Sequence, residues 1–230
     1  HTAIVAGALS LPAVVGAKNI TTQAHDGQLI IVDGNKGTII LDPDEDTIAQ
    51  YQALIQTAEE ARISLHELAE LPAITTDGVE IELLGNIEFA DEIPHLLDEG
   101  GQGVGLYRTE FLYLTGKQSP TEEDQFNAYK QCIEHLKGKP FTIRTFDLGA
   151  DKYTQRQEET PERNPFLGLR SIRYSLQNQK MFRTQLRAIL RASALGPIKI
   201  MFPLITNITE FRSARYFLNE EMEELAEAGI

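Results

Sequence analysis

Residues 103–108, GVGLYR, and residues 140–149, PFTIRTFDLG, stand on either side of residues 121–138, TEEDQFNAYKQCIEHLKG. The two outer stretches are short and rich in β-branched, aromatic and other apolar residues, which reads as strand. The middle stretch reads as helix. Thr121 can cap it, three acids (Glu122, Glu123 and Asp124) occupy its first turn, and Gly138 falls just past its end. Strand, helix and strand in that order imply parallel pairing, because two parallel strands need a crossover between them.

The alternation continues in both directions. Upstream, VEIELLGNI (79–87) reads as a strand and DEIPHLLDEG (91–100) as a helix ending at glycines. Downstream, MFRTQLRAILRASALG (181–196) reads as a helix, IKIMFPLI (198–205) as a strand and ITEFRSARYFLNEEMEELAEAG (208–229) as a helix. Four strand–helix pairs fit between residues 79 and 230. That is half of a (β/α)8 barrel, and it leaves either a smaller open sheet or a chain cut at both ends.

The first 43 residues differ. Thr2–Leu9 reads as a short helix ended by Leu11-Pro12, and Ala13–Gly16 as a short apolar strand. GQLIIVDGNKGTIILDP (27–43) reads as a hairpin turning through Asp33-Gly34 and Gly37. Beyond Pro43, Asp44 or Asp46 can cap a long helix from about Asp46 to Leu71, ended by Pro72. Its stripe is Ile48, Tyr51, Leu54, Ile55, Ala58, Leu65 and Leu68. The expected organisation is therefore a small αβ unit at 1–43, a connector helix at 44–72, and an α/β unit at 73–230.

Composition narrows the function classes. The net charge is −13, so nucleic-acid backbones and anionic membrane surfaces are poor partners. No stretch is apolar and long enough to span a membrane, and no signal peptide is visible. A single cysteine, Cys132, cannot form an internal disulfide; a cytoplasmic setting fits, and the helical context of Cys132 reads as packing.

Chemistry is suggested by arginines at strand ends. Arg108 closes one strand, before Thr109 and Glu110; Arg144 lies in the other, before Thr145, Asp147, Asp151 and Lys152. A strand buried on both faces has no use for a charge, and the C-terminal strand ends are where barrel sites are built. Arginine's planar fork suits phosphate or carboxylate, so the pair could form an anion clamp. Equally, each could pair with Glu110 or Asp147 and hold the sheet together. NPFLGLRSIRYSL (164–176) adds Arg170 at a helix start, a place for an anion, and Arg173, which reads as a solvated face. Arg187 and Arg191 are spaced as a surface stripe or as ion-pair partners. His25, His66, His95 and His135 have no metal-ligand partners at suitable spacing. His1 precedes a small-residue helix, where a phosphoryl group on its imidazole would meet free N–H groups.

Taken together, HTAIVAGALSLPAVVG (1–16), GVGLYRTEFLYL (103–114), IRTFDLGADK (143–152), NPFLGLRSIR (164–173), LRAILRAS (186–193) and IMFPLI (200–205) resemble the phosphoenolpyruvate–protein phosphotransferases. These are the enzymes I of the bacterial sugar phosphotransferase system. The resemblance runs in order over nearly the whole chain. It implies that residues 1–43 are the end of a swivelling phosphohistidine domain, and that residues 73–230 are the N-terminal half of a phosphoenolpyruvate-binding (β/α)8 TIM-type barrel. It makes His1 the catalytic phosphoryl acceptor and Arg108, Arg144 and Arg170 the phosphoenolpyruvate-binding residues. It implies Mg2+ with ligands on later strands, a small histidine phosphocarrier protein as partner, and a homodimer for the intact parent. The Gly-Gly-x-Thr-Ser segment before the histidine is absent, and Gly7 stands where the family often has arginine. The chain is thus expected to be an internal fragment, inactive alone. Pyruvate phosphate dikinase, phosphoenolpyruvate synthase and a nitrogen-regulatory phosphorelay paralogue are the alternatives.

Overall fold

The computed structural model describes residues 6, 11–66, 68–114, 119–148 and 168–230. The chain divides into two compact units, residues 1–72 and 73–230.

In the first unit, helix α1 (Ile20–Gln23) precedes strands β1 (Ile30–Asp33) and β2 (Thr38–Leu41), which pair antiparallel from Ile30↔Leu41 to Asp33↔Thr38. Asp33 holds the turn: its carboxylate accepts from the N–H groups of Asn35 (3.1 Å) and Lys36 (2.9 Å), and Gly37 takes the left-handed conformation (φ 65°) that closes it. Helix α2 (Glu45–His66) is fixed to the hairpin by Tyr51, whose hydroxyl donates to Asp33 at 3.2 Å.

Two expectations change here, and one lies almost wholly outside the described residues. Ala13–Gly16 is irregular, not a strand. Of the expected helix Thr2–Leu9 only Ala6 lies within the described residues, and it is helical. Helix α2 stops at His66, and Leu68–Glu70 form a turn in which Leu71 N–H bonds the carbonyl of Leu68. The apolar stripe that suggested a longer helix is only partly buried, with Leu54, Ile55 and Leu68 exposed, so little packing energy extends the helix towards Pro72.

The second unit carries a parallel sheet in the order β3 (Gly85–Ile87), β4 (Val104–Arg108), β5 (Phe141–Arg144), β6 (Ile198–Met201). Helices follow each strand: α3 (Glu92–Asp98) after β3; α4 (Glu110–Leu114) and α5 (Glu122–Leu136) after β4; α6 (Ser171–Gln177) and α7 (Gln179–Ser193) after β5; α8 (Ile208–Glu227) after β6. The start of α5 is a reciprocal cap. Thr121 Oγ1 accepts from the N–H of Asp124 (3.1 Å), and the carboxylate of Asp124 accepts from the N–H of Thr121 (2.9 Å). Strand β3 is three residues long instead of nine, because residues 75–78 form a turn and Ile74 pairs with Glu80 beyond it. Gly78 supplies the left-handed residue (φ 88°) that this turn needs.

The main core lies between the sheet and its helices. It joins Ile87, Val104, Tyr107, Phe141 and Ile143 from the strands with Ile93, Tyr129, Cys132, Leu136 and Ile189 from the helices. On the outer side, α7 carries Arg183, Arg187 and Arg191 one turn apart. Arg187 reaches Glu122 (3.0 Å) and Glu221 (3.2 Å), and Arg191 reaches Glu122 (2.8 Å) and Glu123 (2.9 Å). Arg183 pairs with Glu220 and Glu221. The expected stripe is thus a ladder of ion pairs that ties α7 to α5 and α8.

Burial pushes the Cys132 thiol up to about 12. Native protein at about pH 8 is therefore expected to resist iodoacetamide, with labelling only in denaturant. Fast labelling of the native protein would show that α5 opens readily.

Candidate anion site at the strand ends

Arg108 and Arg144 are the last residues of β4 and β5 and are paired in register. Alternation puts both on the face opposite Tyr107 and Ile143, which point into the core. Two guanidinium groups thus leave adjacent strands at the same level and on the same side.

Each is held by acids. Arg108 pairs with Glu88, which follows β3 and is almost fully buried. Arg144 donates from one nitrogen to Glu110 (2.8 Å) and from another to Asp147 (2.8 Å). The pairing open to both arginines on sequence grounds is thus realised twice by Arg144, whereas Arg108 takes an acid that no local spacing announced. Among the described residues, Arg144 Nε and Glu110 Oε2 are buried without a hydrogen-bond partner. Burial raises the Glu110 carboxyl above the ordinary glutamate value; Arg144 opposes that rise and Asp147 adds to it.

Arg170 sits at the N-cap of α6 in extended backbone (φ −145°). Its neighbour Ser171 is buried, takes a left-handed backbone (φ 54°), and donates its hydroxyl to Asp147. Asp147 in turn pairs with Arg144, so the start of α6 is tied to the arginine pair. Helix α6 has only seven residues and offers little dipole to an anion. Arg173 is not a free surface charge: it donates to the carbonyl of Gly168 (2.7 Å) and lies 3.7 Å from Glu210. His1, Asp151 and Lys152 lie outside the described residues.

The sequence model for the PEP-binding domain of PEP-utilising enzymes matches residues 62–230. The chain belongs to the PEP-utilising enzyme family. A second model, the mobile domain of the same enzymes, matches residues 1–37. Named relatives are similar over the whole chain. The phosphoenolpyruvate-protein phosphotransferase of Geobacillus stearothermophilus is 45% identical over 230 residues, that of Bacillus subtilis (strain 168) 46% over 234, and that of Staphylococcus aureus (strain MRSA252) 45% over 229. In each case the match takes in 100% of this chain and 40% of the relative. The chain therefore spans well under half the length of the relatives it matches.

No group of three His, Cys, Asp or Glu side chains among the described residues could hold a metal ion. The acids beside the arginines do not make a Mg2+ site by themselves, because Glu88, Glu110 and Asp147 are each engaged by a guanidinium. Among the described residues no helix is long and apolar enough to cross a membrane.

Proposed function

We propose that this chain carries part of the phosphoenolpyruvate site of a phosphoenolpyruvate–protein phosphotransferase. Residues 1–43 would be the end of the phosphohistidine domain, 44–72 the connector, and 73–230 the first half of the (β/α)8 barrel. In this reading Arg108 and Arg144 bind the phosphate and carboxylate of phosphoenolpyruvate, with Arg170 beside them. His1 accepts the phosphoryl group and passes it to a histidine of a small phosphocarrier protein, which energises sugar uptake. The parent is a cytoplasmic homodimer. The named relatives favour this over a dikinase, a synthase or a nitrogen-regulatory phosphorelay.

The observation that carries the reading is the register of Arg108 and Arg144 at adjacent strand ends. A planar three-carbon anion with two acidic groups suits two guanidinium forks held side by side. The acids explain how such a site stays folded when empty: each arginine keeps a carboxylate partner until the substrate's oxygens replace it. They also set a demand. Arg108 and Arg144 bring two positive charges against three carboxylates, Glu88, Glu110 and Asp147. A multiply charged anion therefore needs more positive charge, which is the place of Arg170 in the reading. The family also uses Mg2+, which would polarise the phosphoryl oxygens. Its ligands would belong to later strands of the barrel. The arginines hold the phosphoryl group while its bond to the enol oxygen breaks and a bond to an imidazole nitrogen of His1 forms.

Titrating the protein with phosphoenolpyruvate in a calorimeter tests the site. Arg108→Met is expected to weaken binding about tenfold or more. Equal binding by wild type and variant would remove Arg108 from the site. The carrier step is read in the intact parent as acid-labile label acquired from phosphoenolpyruvate and lost in His1→Ala.

A further inference from the structure

Gln185 of α7 is fully buried and lies on the core-facing side of its helix, between Phe182 and Leu186. Its carboxamide bonds the ends of two strands. Its Oε1 accepts from the N–H of Phe146 (2.9 Å), two residues after Arg144. Its Nε2 donates to Thr109 Oγ1 (3.2 Å), one residue after Arg108, and to the hydroxyl of Tyr129 (3.5 Å). Thr109 Oγ1 then donates to the carbonyl of Arg144 (3.0 Å). The direction of every bond is fixed. The Phe146 N–H can only donate, so the amide oxygen must face it and the NH2 must face Thr109 and Tyr129. The Tyr129 hydroxyl donates to Gln125 Oε1 (3.2 Å), which also accepts from the Tyr113 hydroxyl (3.3 Å).

These bonds lie just beyond the end of a ladder whose register is broken farther back. The β4–β5 ladder shifts between Val104 and Tyr107, so pairing at the start of the strands does not dictate pairing at their ends. Only the last two pairs, Tyr107↔Ile143 and Arg108↔Arg144, hold the arginines level. The Gln185–Thr109 linkage grips both strands immediately beyond those pairs.

We infer that Gln185, acting through Thr109, is the positioning residue of the arginine pair: it holds the ends of β4 and β5 in the register that sets Arg108 beside Arg144. This rests on the anion-binding reading proposed above and adds to it a residue that touches neither the anion nor the arginine side chains. A packing role alone would affect stability and leave affinity untouched; a register role affects both, because a small misplacement of paired guanidinium groups breaks their shared grip on one anion.

The test is phosphoenolpyruvate affinity, measured by calorimetry at a temperature where every variant is folded, beside the thermal midpoint. Gln185→Met, which keeps the length and removes the hydrogen bonds, is expected to weaken binding about tenfold. Thr109→Val is expected to do the same, and Thr109→Ser, which restores the hydroxyl, to recover most of the loss. Leu225→Ala, a core truncation in α8 away from the site, serves as a control that lowers stability alone. If Gln185→Met and Thr109→Val melt early but bind within about twofold of wild type, as the control does, the positioning role is overturned while the site stands. If Arg144→Met binds as tightly as wild type, the site reading falls and this inference falls with it.

Discussion

Arg144→Met is expected to weaken phosphoenolpyruvate binding about a hundredfold and to cost about 3–5 kcal/mol of stability. Both effects come from one guanidinium. It is the ligand in the proposed site, and it neutralises two acids at once: Glu110 and Asp147, each 2.8 Å away. Glu110 is the costlier one to abandon. Its side chain is only 8% exposed, and one of its oxygens is already without a partner among the described residues. Without Arg144, a desolvated carboxylate faces Asp147 with nothing to oppose the repulsion. Removing one side of a buried pair leaves the full burial penalty of the other, which is why the expected loss exceeds that of a surface ion pair.

The pH dependence has a definite sign. Burial raises the Glu110 carboxyl above 4.5 in the native state, and losing Arg144 raises it further. Between the ordinary and the raised value the native state holds more proton than the unfolded chain, so stability falls as pH rises through that window. The deficit of Arg144→Met should therefore be largest near neutrality and shrink on acidification towards the ordinary glutamate value. Urea unfolding at about pH 7 and about pH 5 measures it. Equal deficits at the two pH values would show that the charge on Glu110 is not what the mutation exposes. Adding Glu110→Gln to Arg144→Met removes the stranded charge and should recover part of the stability, a coupling that a double-mutant cycle isolates.

How far this site could be read from sequence depends on where each partner lies along the chain. Arg108 and Arg144 announced themselves, because a charge closing an apolar strand requires a reason. Glu110 and Asp147 were within reach by local spacing. Glu88 was not: it follows β3, on a run whose alternating VEIELL suggested a nine-residue strand. The start of that run instead pairs back across a local turn at residues 75–78, which the Asp77-Gly78 pair signals. Gln185 left a fainter mark. It falls on the apolar stripe Phe182, Leu186, Ile189 of α7, so it is a polar residue facing the core, and such a residue must find buried partners. Which partners it finds depends on strand ends far away in sequence. The parallel sheet was legible because strand and helix periods alternate cleanly. The length of α2 was not, because its apolar stripe remains largely exposed.

Phe182→Ala is expected to cost about 3–5 kcal/mol, the range for emptying a fully buried phenylalanine site. Phe182 is the centre of a core cluster of its own, separate from the one beneath the sheet. Its ring lies 6.1 Å from that of Phe202 and 6.1 Å from that of Phe217, and Ile172, Leu186 and Ala214 complete the cluster. The cluster binds α6 and α8 to α7. Helix α6 depends on it most, since it is short and its buried Ile172 is its anchor there. The strand ends that carry Arg108 and Arg144 rest on the core beneath the sheet, on the Gln185 linkage and on a third cluster, Tyr113, Phe146 and Leu148, which Tyr174 of α6 also joins. The cavity should therefore loosen the unit unevenly. Amides of residues 171–177 should exchange with solvent much faster than in wild type, while those of β4 and β5 keep most of their protection. The head of α6, where Arg170 sits, keeps its Ser171–Asp147 tie to Arg144, so the loss should be greatest in the later turns of α6 while the arginine pair keeps its register. Equal loss of protection in α6 and in β4–β5 would show that the Phe182 cluster and the core beneath the sheet open as one.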